Sequence, residues 1–567
     1  MPKVISIGAQ YFYDLRDNDC FYIDKTHFIK EWWERKDAVT LITRPRRFGK
    51  TLNMSMTECF FSIKYKDRGD LFEGLSIWED EKYRALQGTY PVIFLSFAGV
   101  KAVNYETTRE SINKIIVNLY DDYKYILEDK RFDEKDHAVF DEICMDMPDS
   151  TAYTSINQLC KYLEKYYGRK CIVIVDEYDT PMQEAWIHGY WDELTAYIRG
   201  LFNNTFKTNP YLERGLMTGI MRVSKESIFS DLNNLNVITT TSDEYADCFG
   251  FTEKEVFDAM DTQGIDPSEK EKVKEWYDGF TFGNISDIYN PWSVTSYLDK
   301  KKTGLYWVNT SGNGLINKLL QEGDSDIKMK LETLIKGGTL RAEIDEQIVF
   351  SQLYETRDAL WSLMLASGYL KVDKYEEIED YDGQLIFMYT LSITNREVRA
   401  MFAKLIKGWF NKGTAFSDFI SAMLRGDEYE MERYMNQVAL NTFSSFDTGT
   451  SPSGEKHPER FYHGFVLGLM VDRSRDYIIK SNRESGYGRY DVVMEPKNTS
   501  DVAVIMEFKV RDERRGEKSL SDTADNALSQ INERKYDADL LSRGIPAERI
   551  YKYGFAFEGE TCIIKKR

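Results

Sequence analysis

The sequence predicts an α/β chain of several domains: a parallel sheet with helices on both faces in front, a helical and winged-helix-like middle, and a smaller α/β domain at the end. Three observations predict it. Before Gly250, short and wholly apolar runs alternate with helix-period stretches; a phosphate-loop pattern follows the first of these runs; and a turn-rich break, "FDTGTSPSGEKHPE" at 446–459, precedes a second set of strands and helices. A chain of 567 residues also exceeds what one hydrophobic core supports.

The elements follow in order. "AVTLIT", "VIFLSF", "CIVIVDE" and "GLMTGIM" are strands apolar on both faces, as a covered parallel sheet requires. Helical stretches separate them, among them "YETTRESINKIIVNLYDDYKYIL" and "WDELTAYIRGLFNNTF". From Phe251 to Leu340 the pattern is mostly helical and rich in aromatic residues. Around 350–410, helices flank "GYLKVDKY" and "IFMYTLSI", which read as a wing-like hairpin. The last part reads as a helix ("RFYHGFVLGLM"), strands ("YDVVME", "VAVIMEFKV"), a helix ("TADNALSQINERKY") and a closing strand ("YKYGFAFEG"). The expected domains are 1–250, 251–345, 346–445 and 446–567.

Composition narrows the setting. The N-terminal "MPKVISIGAQYFYDL" lacks the apolar core of a signal peptide, and no apolar run reaches membrane-spanning length, so a soluble cytoplasmic protein without a membrane partner is expected. Seven cysteines are scattered singly, with no C-x-x-C, which fits reduced thiols; Cys and His do not cluster along the chain, so no zinc site is expected. The net charge of −19 excludes a chain that coats nucleic acid over its whole surface. Residues 451–567 carry 21 Lys+Arg against 20 Asp+Glu, which leaves −20 on residues 1–450. A polyanion can approach the last fifth more easily than the rest.

"RPRRFGKT" ends in the Gly-Lys-[Ser/Thr] of a phosphate loop between a strand and a helix, where inward N–H groups and a helix N-terminus hold a polyphosphate. Arg46, Arg47, Phe48, Gly49, Lys50 and Thr51 form the expected nucleotide-binding segment: Lys50 for the β and γ phosphates, Thr51 for Mg²⁺. Arg44 stands where the pattern has its first glycine. Arg46 and Arg47 either add charge to the phosphate site or point outward to the acidic surface. The strand "CIVIVDE" ends in Asp176 and Glu177, the place of ligands in open α/β sheets; Asp176 suits a metal held through water, and Glu177 suits polarising the attacking water. "LMTGIMRVSKES" adds Thr218 at a strand tip as a γ-phosphate sensor. Arg222 beyond it is either a neutraliser of transition-state charge or a surface ion pair.

In the last domain Asp491 opens one strand, and Glu507 and Lys509 share one face of the next with Phe508 turned to the core. A charged pair embedded in an apolar strand is costly unless a ligand or metal uses it. Two carboxylates there can hold Mg²⁺, and Lys509 can orient or deprotonate a water, a set suited to phosphodiester hydrolysis. Glu459 and His463 on one helix face, and Gln530 in the later helix, are candidates to complete the site.

At these residues the chain resembles a family of bacterial and archaeal proteins that fuse an AAA-ATPase-like domain to a PD-(D/E)xK nuclease-like domain. The resemblance rests on "FYIDKTHFI", "RPRRFGKT", "VIVDEYDTPM", "TGIMRVSKESIFSDLNNL", "FGFTEKEV", "WYDGFTFG", "IYNPWSV", "YWVNTSGN", "FYHGFVLGL", "GRYDVVMEP", "VAVIMEFKV" and "ALSQINERKY". It implies that Arg44 belongs to the loop, that the last domain has a restriction-endonuclease-like fold, and that Asp491, Glu507 and Lys509 are a nuclease triad supported by Glu459, His463 and Gln530. The expected cofactors are ATP and Mg²⁺, with Mn²⁺ an alternative at the nuclease site. The expected partner is nucleic acid, DNA favoured over RNA, with oligomer formation left open. Two functions follow: a nuclease controlled by ATP, or a nucleotide-dependent switch or scaffold whose last domain binds without cutting.

Overall fold

The computed structural model describes residues 2–567 except 222–228, 230–231, 311–313, 323–324, 346–356, 380–384, 411–415, 444–475, 482–483, 486–487, 490–491, 512–516 and 559–560. The chain divides into two compact units, residues 1–315 with 339–398, and residues 316–338 with 399–567. Residues 346–398 thus group with the first unit and 399–445 with the second.

The first unit is built on five parallel strands: β1 (Val39–Thr43), β2 (Val92–Ser96), β3 (Cys171–Asp176), β4 (Leu212–Gly219) and β5 (Leu235–Ile238), in the order β2-β3-β4-β1-β5. β1 and β3 are buried along their whole length, which explains their lack of alternation. The chain runs from β1 to the far edge at β2, returns through β3 and β4, then crosses β1 to β5. Right-handed crossovers in opposing directions lay their helices on opposite faces. They also open a crevice at the strand tips between β1 and β4, where connections leave in opposite directions. β5 is a strand that the sequence pattern missed: four residues with one fully buried side chain carry little periodic signal.

The segment read as mostly helical also carries a small antiparallel sheet, β6 (Phe251–Thr252), β7 (Phe280–Phe282) and β8 (Ile285–Tyr289), in the order β6-β8-β7. The wing is present as β10 (Leu370–Glu379) and β11 (Leu385–Ile393), antiparallel, with β9 (Leu340–Glu343) on the outer side of β11.

The second unit holds a mixed sheet of β12 (Tyr477–Ser481), β15 (Val492–Pro496), β16 (Ala503–Val510), β17 (Ile550–Glu558) and β18 (Thr561–Lys566), in that order, with a separate two-stranded ladder of β13 (Glu484–Ser485) and β14 (Gly488–Arg489). β16 and β17 are parallel; the other neighbours are antiparallel. One face packs Phe508, Phe555 and Phe557 with residues of the helices Phe416–Arg425 and Glu428–Phe443. The other packs Val493, Ile505 and Ile550 with Leu528 and Ile531 of the helix Leu520–Glu533. No helix among the described residues is long and apolar enough to cross a membrane.

Candidate nucleotide and phosphodiester sites

β1 delivers the chain into the loop 44–49, and Gly49 caps the helix Lys50–Phe61 with φ +79°, a left-handed conformation that glycine adopts without strain. Arg47 is also left-handed at φ +64°. Its guanidinium lies 4.4 Å from the centroid of the Trp292 ring. Arg46 donates to Gln183 Oε1 at 3.0 Å. The Phe48 ring, 1 % exposed, packs edge-on against Phe280 and Phe282, so its side chain anchors the loop rather than facing a ligand.

Arg44 explains why the loop opens on an arginine. It is fully buried and donates to the carbonyls of Thr43 (2.9 Å), Thr239 (2.5 Å), Glu244 (3.3 Å) and Tyr245 (3.4 Å). Its guanidinium also lies over the Phe282 ring at 4.7 Å. Burial pulls its pKa down to about 10, and the ring of carbonyls offsets the lost hydration. A glycine would give the loop freedom; this arginine ties the loop to the chain beyond β5.

At the strand tips, Asp176 is fully buried and receives two hydroxyls, Thr51 Oγ1 at 2.8 Å and Thr218 Oγ1 at 2.6 Å. Burial raises the Asp176 pKa, and the two hydroxyls oppose the rise. Lys50 Nζ donates to the carbonyls of Arg44 (3.0 Å) and Pro45 (2.9 Å). Burial lowers its pKa, while Glu177, Asp179 and Asp176 hold it up. Glu177 is left-handed at φ +51°; its N–H reaches Thr218 Oγ1 at 3.4 Å and its carboxylate accepts from Thr180 at 3.2 Å. Lys50, Thr51, Asp176, Glu177 and Thr218 therefore meet in one place, drawn from the start of one helix and the tips of two strands, β3 and β4. Arg222 lies outside the described residues.

The sequence reading missed four residues that support this site. Asp179 is fully buried and accepts the N–H groups of Ile220 (2.9 Å) and Met221 (3.2 Å), while its Oδ1 has no hydrogen-bond partner among the described residues. It is the third acid of "VDEYD", which was the available signal. Trp307 Nε1 and Asn290 Nδ2 both donate to the Arg46 carbonyl, at 3.0 and 3.4 Å. Behind them, buried Glu397 accepts from Trp307 N (2.7 Å) and Ser293 Oγ (2.7 Å); burial raises its pKa to about 7. No local pattern marks these partners, which lie over 200 residues from the loop.

The donor set fits a magnesium-bound polyphosphate. An amine, two hydroxyls and buried carboxylates, one oxygen of them unpartnered, surround a loop at a helix N-terminus.

In the second unit Glu507 and Lys509 share the helix-covered face of β16, while Phe508 lies in the opposite core. Gln530 joins them: its amide nitrogen donates to Glu507 Oε1, and its Oε1 accepts from Lys509 Nζ at 2.8 Å. Tyr536 OH lies 3.3 Å from the Gln530 amide. Gly554, opposite Glu507 on β17, lets the helix sit this close; a Cβ there would stand 2.4 Å from the Ala524 carbonyl oxygen. Asp491, Glu459 and His463 lie outside the described residues. A buried carboxylate beside an amine, on the face of a central strand, is a donor set that fits a divalent ion and a water.

A curated relative, an uncharacterized protein in the vnfD 5′ region of Azotobacter chroococcum mcd 1, is 24% identical over 401 residues, covering 70% of this chain and 69% of that protein. Residues 6–229 match the family model of predicted AAA-ATPases, and residues 457–567 match that of the PD-(D/E)XK nuclease superfamily. The chain therefore joins an AAA-ATPase-like domain to a domain of the PD-(D/E)XK nuclease superfamily.

Proposed function

We propose that the chain is an ATP-controlled, metal-dependent nuclease. The observation that carries the first half is Asp176, reached by hydroxyls from the loop helix and from a neighbouring strand. In this reading Lys50 leaves the Arg44 and Pro45 carbonyls to hold the β and γ phosphates. Thr51 and Asp176 hold Mg²⁺, and Glu177 orients the water. Arg46, Arg47, Phe48 and Gly49 shape the cradle, Thr218 senses the γ-phosphate, and Arg222 neutralises developing charge. Bound Mg²⁺ supplies charge neutralisation at the phosphates.

In the last domain Glu507, with Asp491, would hold Mg²⁺ or Mn²⁺. Lys509 holds or takes the proton of the attacking water, and Gln530 fixes both side chains. Glu459 and His463 complete the pocket. The substrate is a nucleic-acid phosphodiester, DNA in preference to RNA. The acidic first 450 residues support a second reading, a nucleotide-dependent scaffold whose last domain binds without cutting.

Cleavage of a panel of DNA and RNA forms with Mg²⁺ or Mn²⁺, with and without ATP, decides between them. Wild type is expected to cut, Lys50→Ala to lose the ATP dependence, and Lys509→Ala to lose cutting while retaining ATP turnover. Tight ATP binding without cleavage of any form would leave the scaffold.

A further inference from the structure

Cysteine and histidine do not cluster along the chain, but among the described residues the fold brings His27 and Cys248 together. His27 opens the helix His27–Arg35, with Glu31 one turn further on. Asp247 and Cys248 lie in the turn that precedes β6. The ligand-capable atoms of His27, Asp247 and Cys248 all lie within 4.8 Å of one another. His27 Nε2 stands 3.4 Å from Asp247 Oδ1, and Cys248 Sγ stands 3.8 Å from that oxygen and 3.6 Å from Glu31 Oε2. In a tetrahedral zinc site, metal–ligand lengths of about 2.0 Å to N or O and about 2.3 Å to S place ligand atoms about 3.3–3.5 Å apart. The nitrogen–oxygen spacing of 3.4 Å is of that size, and the two sulfur–oxygen spacings, 3.6 and 3.8 Å, are slightly longer.

Hydrogen bonding and one His–Asp ion pair account for the group only in part. One thiol proton cannot serve two carboxylates. His27 Nε2 is shielded from water, and its contact with Asp247 Oδ1 is long, at 3.4 Å. The sulfur is fully buried, whereas His27 and Asp247 are 37 % and 48 % exposed on their side chains, which leaves an ion a way in. Glu31 is oriented from behind, its Oε1 accepting the Tyr245 N–H at 3.2 Å. Lys25, bonded to the Asp247 carbonyl, offsets part of the negative charge of the group.

We propose that His27, Asp247 and Cys248, completed by Glu31, bind a borderline-soft divalent cation of the zinc class. Thiolate and imidazole select against Mg²⁺ and Ca²⁺, so this site is distinct in chemistry from the two proposed magnesium sites. Its role is a brace. The segment it pins carries the Glu244 and Tyr245 carbonyls that hold Arg44, and the Cys248 carbonyl that accepts from Asn53 of the loop helix at 2.9 Å.

The test is titration of metal-free full-length protein with Zn²⁺ and with Co²⁺ in excess Mg²⁺. Wild type is expected to take up one equivalent of Zn²⁺ that Mg²⁺ does not displace, and to show a sulfur-to-cobalt charge-transfer band with Co²⁺. Cys248→Ser should lose the band. His27→Ala, a change at a half-exposed position that spares the core, should weaken Zn²⁺ binding more than about tenfold. Persistence of the band in Cys248→Ser would assign it to another thiol, such as exposed Cys144, and overturn the proposal. Unchanged Zn²⁺ affinity in His27→Ala, or no uptake by wild type, would overturn it as well.

Discussion

The two candidate sites both centre on a buried acid carried by a β-strand, yet they are held in opposite ways. At the candidate phosphate loop, Asp176 meets hydroxyls of Thr51 and Thr218; Asn290 and Trp307 hold the loop through the Arg46 carbonyl, and the Arg44 side chain ties it to main-chain carbonyls beyond β5. At the second site, Gln530, carried on a helix that packs over the sheet, bonds to both Glu507 and Lys509. A loop at strand tips has backbone groups to satisfy, so its neighbours bond to carbonyls. Groups on a sheet face have their backbone already paired, so only another side chain can orient them. The first site thus depends on contacts distant in sequence and close to the main chain; the second depends on how near one helix lies to one sheet.

Crossed substitutions give the largest effects. Lys50→Ala should weaken ATP binding about 10- to 100-fold, the scale of hydrogen bonds to a charged group, while leaving metal-dependent cutting in the absence of ATP unchanged. Glu507→Ala should lower cleavage about 10²- to 10³-fold and leave ATP affinity unchanged. Equilibrium ATP binding and single-turnover cleavage on both variants measure this, and equal losses in both assays would erase the distinction between the sites.

Glu397 tests the grip on the loop. Its raised pKa means that the folded state binds the proton more tightly than the unfolded chain. The associated stability is present in full below the ordinary glutamate value of 4.5 and is lost as pH rises through about 7. The difference amounts to about 3 kcal/mol at most. Thermal unfolding from pH 4.5 to 8 should show wild type losing stability relative to Glu397→Gln over that range, with parallel curves above it. Glu397→Ala leaves the Trp307 N–H and the Ser293 hydroxyl without their acceptor, at a cost of about 1–3 kcal/mol, and should weaken ATP binding through Trp307.

Gly554→Ala tests helix placement. The added methyl would meet the Ala524 carbonyl, so the helix must lift, costing about 1–3 kcal/mol and moving Gln530 from Glu507. Cleavage should fall while ATP binding holds, and Gln530→Ala should reproduce the loss without the drop in unfolding temperature. Arg47→Ala should do least. Its stacking on Trp292 is worth about 0.5–1 kcal/mol, and ATP affinity should change less than about fivefold if the arginine serves packing. A larger loss would move Arg47 into the phosphate site.

Sequence alone determined the succession of the first four strands along the chain, the loop and helix that follow β1, and the acids that end β3, because each is written in adjacent residues: apolar runs, Gly-Lys-Thr, Asp-Glu. It also determined that Glu507 and Lys509 face away from Phe508, since alternation along a strand is fixed by its geometry. Tertiary structure decided what those residues touch. Arg44 reads as a misplaced glycine until its carbonyl partners on the far side of β5 come into view. Phe48 reads as part of a binding loop until its ring is found among Phe280 and Phe282. β5 and the β6–β8 sheet are too short to show a period, and their pairing partners alone make them strands. His27 and Cys248 carry no common motif and meet only because the helix at 27–35 packs beside the turn before β6. Local propensity and periodicity act over a few residues, whereas ligand sets, clamps and short edge strands are made by chain segments that only the folded core brings within bonding distance.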